Sequence, residues 1–149
     1  MFHSVKDKEN LLPYNVWSGS DYTNNIEGFY APVHIISSSD EWSNQGNKSL
    51  KIISETLDYS YTRFYFITAT EGDKFNVTLK ALNNSGNTLV LRVIETTNSH
   101  FQDVEIPSSS ETQLINTNFT STTDGVINFL IITRTNIISY IDCLSVKQE

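Results

Sequence analysis

Phe75-Asn76-Val77-Thr78-Leu79-Lys80-Ala81-Leu82 is the stretch from which the fold can be read. Phe75, Val77, Leu79 and Ala81 alternate with Asn76, Thr78 and Lys80, which sorts side chains to two sides with a period of two. That is a β-strand with one side on a core. Asn83-Asn84-Ser85-Gly86-Asn87 comes next. Asn and Gly tolerate positive φ, so this segment reads as a hairpin connection handing the chain to an antiparallel strand over Thr88–Glu95. Leu89, Leu91 and Val93 are then its core side, which makes the 75–95 region a candidate pair of adjacent strands.

Outward from that pair the same rhythm recurs. Short β-branched and aromatic runs are separated by Asn, Ser, Gly and Asp clusters, and nowhere do Ala, Glu, Leu and Lys gather into a long 3.6-periodic stretch. Strands are expected over Ser49–Ser54, Tyr59–Thr70, Gln102–Ile106, Thr112–Thr120, Val126–Thr133 and Ile137–Val146. Turns fall at Glu71-Gly72-Asp73 and Thr123-Asp124-Gly125, and polar loops at Thr96–Phe101 and Pro107–Ser110. The 126–133 run is apolar at nearly every position, as a strand covered on both faces would be. About eight strands joined by short turns make an all-β, antiparallel two-sheet sandwich or a barrel. No internal repeat and no linker interrupts residues 10–149. A length of 149 residues suits one domain over 1–149, with residues 1–9 read as a disordered or linker segment.

Composition narrows the partners. The formal net charge is -7, with ten Lys plus Arg. Nucleic-acid affinity comes largely from basic side chains that displace counterions, so nucleic acid is not an expected partner. The same charge favours neutral over anionic polymers. Apolar runs such as Phe129–Ile132 are too short to span a bilayer, so membrane insertion is not expected either. Cys143 is the single cysteine; it rules out an intrachain disulfide and sits in an apolar run that suits a buried thiol. Met1–Asn10 carries no apolar signal core, which leaves a cytoplasmic protein, a virion part or a module of a longer secreted protein. The Asn-x-Ser/Thr triplets at Asn47, Asn76, Asn83 and Asn118 are what a chain rich in those residues shows by chance.

With the strands placed, the chain's two ends resemble a known family. Asn10-Leu11-Leu12-Pro13 with Trp17 is similar to the "NLLPNGdFE…W" opening of carbohydrate-binding modules of families four, nine and twenty-two, a jelly roll related to galactose-binding-like domains. Gly46–Ile52 resembles the family's "SLKV" strand. Glu71-Gly72-Asp73-Lys74-Phe75 with Val77 and Leu79 resembles its "pGkkYtlS" strand, Thr117–Thr120 its "FTaT" strand, and Tyr140–Val146 its closing "yiDnvsl". The matches run in the family's order over nearly the whole chain. They imply a jelly roll that binds a polysaccharide or glycan without catalysis, outside the cell or on its surface, beside other domains of a larger protein. A different class remains open, since the same fold serves as a structural or adhesion domain of phage tails and surface proteins.

The resemblance also implies a calcium site where the opening acid meets the closing aspartate, because Ca²⁺ collects carboxylate and carbonyl oxygens. Asp142 matches the closing residue. Ser18 stands where the family has its acid, which leaves Glu9 or Asp21 to substitute.

Sugar recognition needs flat aromatic faces for C–H patches and polar side chains for hydroxyls. Trp42 lies in a polar stretch where no core periodicity requires it; it either meets a ligand or plugs one end of the sandwich. Tyr59, Tyr61, Arg63 and Tyr65 alternate with Ser60, Thr62, Phe64 and Phe66. Both sets carry aromatics, so periodicity leaves open which side faces outward. Arg92 and Lys80 fall on the outer side of two strands expected to be neighbours, a strip that is either solvated or a cleft floor. Phe101, in a loop beside His100, is a candidate rim residue. Catalysis has no motif behind it: His3, His34 and His100 show no metalloprotease-like spacing, and there is no nucleophile elbow or phosphate loop.

Overall fold

The structure, a computed structural model, describes residues 10–12, 28–44 and 48–149. Nine strands occur among them: β1 (Ile35–Ser39), β2 (Ser49–Ser54), β3 (Ser60–Ala69), β4 (Lys74–Leu82), β5 (Leu89–Glu95), β6 (Phe101–Ile106), β7 (Gln113–Thr120), β8 (Gly125–Thr133) and β9 (Ile137–Gln148). They form an antiparallel two-sheet β-sandwich, a jelly roll. One sheet has the order β1-β2-β9-β4-β7 and the other β3-β8-β5-β6.

Apolar period-2 sets from both sheets meet between them. Phe75, Val77, Leu79 and Ala81 of β4 are fully buried against Leu89, Leu91 and Val93 of β5 and Ile127, Phe129 and Ile131 of β8. Phe129 is the hub, with its ring centroid 6.2 Å from Phe64 and 6.1 Å from Phe75.

These burial patterns match the sequence, but one pairing does not. β4 and β5 are not a hairpin: β4 pairs with β7 and β9, β5 with β6 and β8. Two strands with apolar inner faces can sit side by side or face each other across the roughly 10 Å between sheets, and alternation is the same in both. The connection decides here. Asn83 is buried, and its Nδ2 donates to the carbonyl oxygens of Asn87 (2.8 Å) and Ile106 (3.0 Å), while its Oδ1 accepts from Ser85 Oγ at 2.6 Å. The Asn-rich segment is thus an arch between sheets, with an amide supplying the partners its backbone lacks. β1 escapes sequence reading because Ile35-Ile36-Ser37-Ser38-Ser39 has little apolar alternation; among the described residues it is an edge strand paired with β2.

The opening and closing motifs lie together. Leu11 N–H donates to the Val146 carbonyl (2.7 Å), and Asn10 Oδ1 accepts from Val146 N–H (3.1 Å). Buried Leu12 joins the core beside them. β9 is bulged against β4, with Cys143 at φ 56, and six successive residues from Ile141 to Val146 are buried.

Candidate functional site

Sheet register builds the site. On the outer side of the four-stranded sheet, residues that share a row across the strands can be read from the pairing. One row is Tyr61, Ile132, Val90, Glu105; the next is Arg63, Leu130, Arg92, Asp103; the third is Phe66, Asn128, Ile94, Phe101. Tyr59 and Arg134 extend the face beyond the first row. Adjacent strands lie roughly 4.8 Å apart, so Phe66 and Phe101 stand at opposite margins of a surface about 14 Å wide.

The floor of this face is apolar, and its walls are arginine on aromatic. Leu130 and Ile132 are buried although they point away from the core. The guanidinium carbon of Arg63 lies 4.5 Å from the Phe66 ring centroid and 5.2 Å from that of Tyr30. Arg92 lies 4.3 Å from Phe101, and Arg134 lies 5.4 Å from Tyr59. Tyr61 bridges Tyr30 and Tyr59, 6.2 Å from each. Tyr30, Tyr59, Phe66 and Phe101 all remain about half exposed. Among the described residues, every strongly exposed aromatic ring is therefore on this one face.

Charge on the face is arranged as well as counted. Arg92 is gripped by Asp103, its Nε donating to Oδ1 (2.8 Å) and its Nη2 to Oδ2 (2.9 Å). Those hydrogen bonds, with a further contribution from Tyr59, hold the guanidinium pKa above its ordinary value. No carboxylate lies within ion-pair distance of Arg63 or Arg134 among the described residues.

The structure brings together Tyr59, Tyr61, Arg63, Arg92 and Phe101 of the sequence candidates, and it separates Tyr65, Lys80 and Trp42 from them. Tyr65 leaves the tyrosine face because a register shift falls between Arg63 and Tyr65. A bulge adds one residue and flips the alternation after it. Tyr65 consequently pairs with Phe129, ring to ring at 5.7 Å, and burial raises its phenol pKa. Phe66 takes the outward place, whereas simple alternation puts it on the opposite face. Three consecutive aromatics, Phe64-Tyr65-Phe66, are the only hint of this in the sequence.

Lys80 is not a neighbour of Arg92, since β4 and β5 lie in different sheets, so the two side chains point out of opposite sides of the sandwich. Trp42 lies in the β1–β2 connection and packs on Tyr140 of β9 at 6.4 Å, again on the five-stranded sheet. Phe101 is a strand residue rather than part of a loop. Tyr30 and Arg134, outside any strand, carried no periodic signal.

Asp142 is fully buried beneath the β1–β2 connection. Its Oδ2 accepts from Asn44 N–H (2.9 Å) and its Oδ1 from Cys143 N–H (2.8 Å), so the carboxylate ties that connection to the β9 bulge. A calcium ion needs several such oxygens at once. Among the described residues no three His, Cys, Asp or Glu side chains converge on a metal position, and both Asp142 oxygens already serve amides. Glu9, Ser18 and Asp21, the positions that the resemblance sets beside Asp142, lie outside the described residues.

Comparison with solved structures agrees with this architecture. The chain superposes on the CBM22-1 xylan-binding domain of Paenibacillus barcinonensis Xyn10C with TM-score 0.67 and 12% identity, covering 88% of this chain and 90% of that one. TmCBM61, solved in complex with β-1,4-galactotriose, gives TM-score 0.59 and 11% identity, with 99% and 100% covered. The enzymatically active domain of bacteriophage CBA120 tailspike protein 4 gives 0.70 at 12% identity; 95% of this chain covers 22% of that one. The sequence matches no protein-family model and no curated protein. The chain has the jelly-roll fold of carbohydrate-binding modules.

Proposed function

We propose that the protein is a non-catalytic carbohydrate-binding module that takes a glycan across the outer face of its four-stranded sheet. The observation that carries this is the gathering of the exposed rings Tyr30, Tyr59, Phe66 and Phe101, with Tyr61 between them, on one face. Rings left half in water on a flat sheet offer apolar area to the C–H patches of a sugar, and adjacent arginine, asparagine and tyrosine groups meet its hydroxyls. Structural neighbours named for xylan and galactotriose binding support the reading.

Catalysis is not part of it. Among the described residues the acids of the face are Asp103 and Glu105, and both Asp103 oxygens are engaged by Arg92, so no free carboxylate pair of the kind glycoside cleavage uses lies among them. Sugar modules and tailspikes act outside cells, and the proposed setting is accordingly an extracellular or virion-borne protein with further domains.

Affinity electrophoresis on gels containing polysaccharides tests the reading. Retardation by at least one glycan, lost in Tyr61→Ala with an unchanged melting temperature, is expected. The overlap with part of a tailspike chain favours a second reading, a structural module of a tail protein. Absence of retardation by every polysaccharide tried selects it.

A further inference from the structure

The arginines of this chain are distributed in a way its net charge hides. There are three, Arg63, Arg92 and Arg134, and all lie on the outer face of the four-stranded sheet, each against an exposed aromatic ring. Among the described residues the strand lysines go elsewhere: Lys51, Lys74, Lys80 and Lys147 belong to the five-stranded sheet. We infer, building on the glycan reading above, that the ligand of the four-stranded face is an acidic glycan, one bearing carboxylate or sulfate groups that Arg63 and Arg134 bind.

The first argument is what stacking does to a ring. A guanidinium 4.5 Å from the Phe66 centroid and 5.2 Å from the Tyr30 centroid lies against both rings, which still remain about half exposed. Stacked this way, the planar group turns its N–H edges outward, and that edge matches the two oxygens of a carboxylate or sulfate. The aromatic rings then orient the arginines as well as contacting sugar directly.

The second argument is the difference between Arg92 and its fellows. Arg92 already has its anion in Asp103, held in the fork geometry an external anion would adopt. Arg63 sits in the same row, two strands away across Leu130, with the same stacking on a phenylalanine and no carboxylate among the described residues. A cation placed on an apolar floor beside buried Leu130 is less screened than one in open solvent, so an arriving anion gains more there. Asp103 shows on this same face what such a partner looks like.

Matched polymers decide it. Polygalacturonate is compared with its fully methylated ester, and a sulfated galactan with the unsulfated chain, by affinity electrophoresis of the intact protein at low and high salt. Retardation by a charged member and not by its neutral twin is expected, weakening as salt screens the contact. The uronate and sulfate pairs separate the two sources of negative charge. Arg63→Gln should weaken binding roughly tenfold or more with an unchanged melting temperature, and Arg63→Lys should recover only part of it. Equal retardation by charged and neutral twins, insensitive to salt and to Arg63→Gln, would overturn the acidic assignment and leave glycan binding standing. No retardation by any polymer would remove both.

Discussion

The two outer faces of the sandwich are made by the same kind of strands and end with opposite surface chemistries. The four-stranded face holds arginines stacked on half-exposed rings over buried Leu130 and Ile132. The five-stranded face holds lysines and an asparagine ladder, in which Asn76 Nδ2 donates to Asn116 Oδ1 (2.7 Å) and Asn118 Oδ1 (3.0 Å). Its aromatic pair, Trp42 and Tyr140, is tied into a network in which Lys51 and the Tyr140 hydroxyl both bind Glu41. A concavity of about 600 Å³ also opens on that side, lined by Ile53, Ile138, Tyr140, Glu55, Asn84 and Asn136. Among the described residues the concavity is lined by one aromatic ring and no arginine, whereas a long polymer needs an open platform with repeated flat contacts, so the four-stranded face is the better site.

The faces share one core, and the largest expected effect comes from breaking it. Phe129 is fully buried with Phe64, Tyr65 and Phe75 around it. Phe129→Ala should cost about 3–5 kcal/mol by lost transfer energy and a residual cavity. Chemical denaturation should show one cooperative transition moved to lower denaturant. A variant as stable as the parent would mean that the sheets do not depend on this packing.

A second effect belongs to the four-stranded side alone. His34 is buried, its Nδ1 within 2.8 Å of Thr62 Oγ1 on β3 and its Nε2 within 2.7 Å of Thr133 Oγ1 on β8. Burial lowers its pKa to about 4, against an ordinary value of 6.5. The folded state thus holds fewer protons than the unfolded chain between those values. Stability is fully present above pH 6.5 and is lost as pH falls toward 4, by up to about 3 kcal/mol. Melting temperatures across that range should fall, and His34→Gln should flatten the part of the slope that this residue supplies. An identical slope in the variant would move the cause to other groups.

How much of this was legible in the sequence depends on whether the information was local. Most strand positions were, β1 excepted, and so were the inward sets of β4 and β5, because burial of Val77 or Leu91 follows from alternation within one strand. Partnership was not: alternation over 75–82 and 88–95 is silent on whether two strands are side by side or face to face, and the ladders of β4 with β7 and β9 and of β5 with β6 and β8 decide it. The site was half legible for the same reason. Tyr59, Tyr61 and Arg63 share a face by periodicity up to the bulge, and past it Tyr65 and Phe66 exchange sides. Arg134 and Tyr30 reach the face through pairing across distant segments, which no window of sequence displays.

The smallest expected effect sharpens the contrast between the faces most directly. Phe101 lies half exposed at one margin of the four-stranded face, whereas Trp42, equally aromatic and equally prominent in the sequence, packs on Tyr140 across the sandwich. Neither supports the core, so Phe101→Ala and Trp42→Ala should each change stability by no more than about 1 kcal/mol. Their effects on binding should differ. Losing the apolar area of Phe101, and with it the ring that steadies Arg92, should cost about 1.5 kcal/mol of affinity, close to tenfold in Kd. Trp42→Ala should leave the Kd of the same glycan within about twofold, since its ring touches a different surface. Titration of both variants against one polysaccharide, after their melting curves have been matched, provides the comparison. If Trp42→Ala weakens binding and Phe101→Ala does not, the glycan lies on the five-stranded face, and the concavity beside Tyr140 becomes its site.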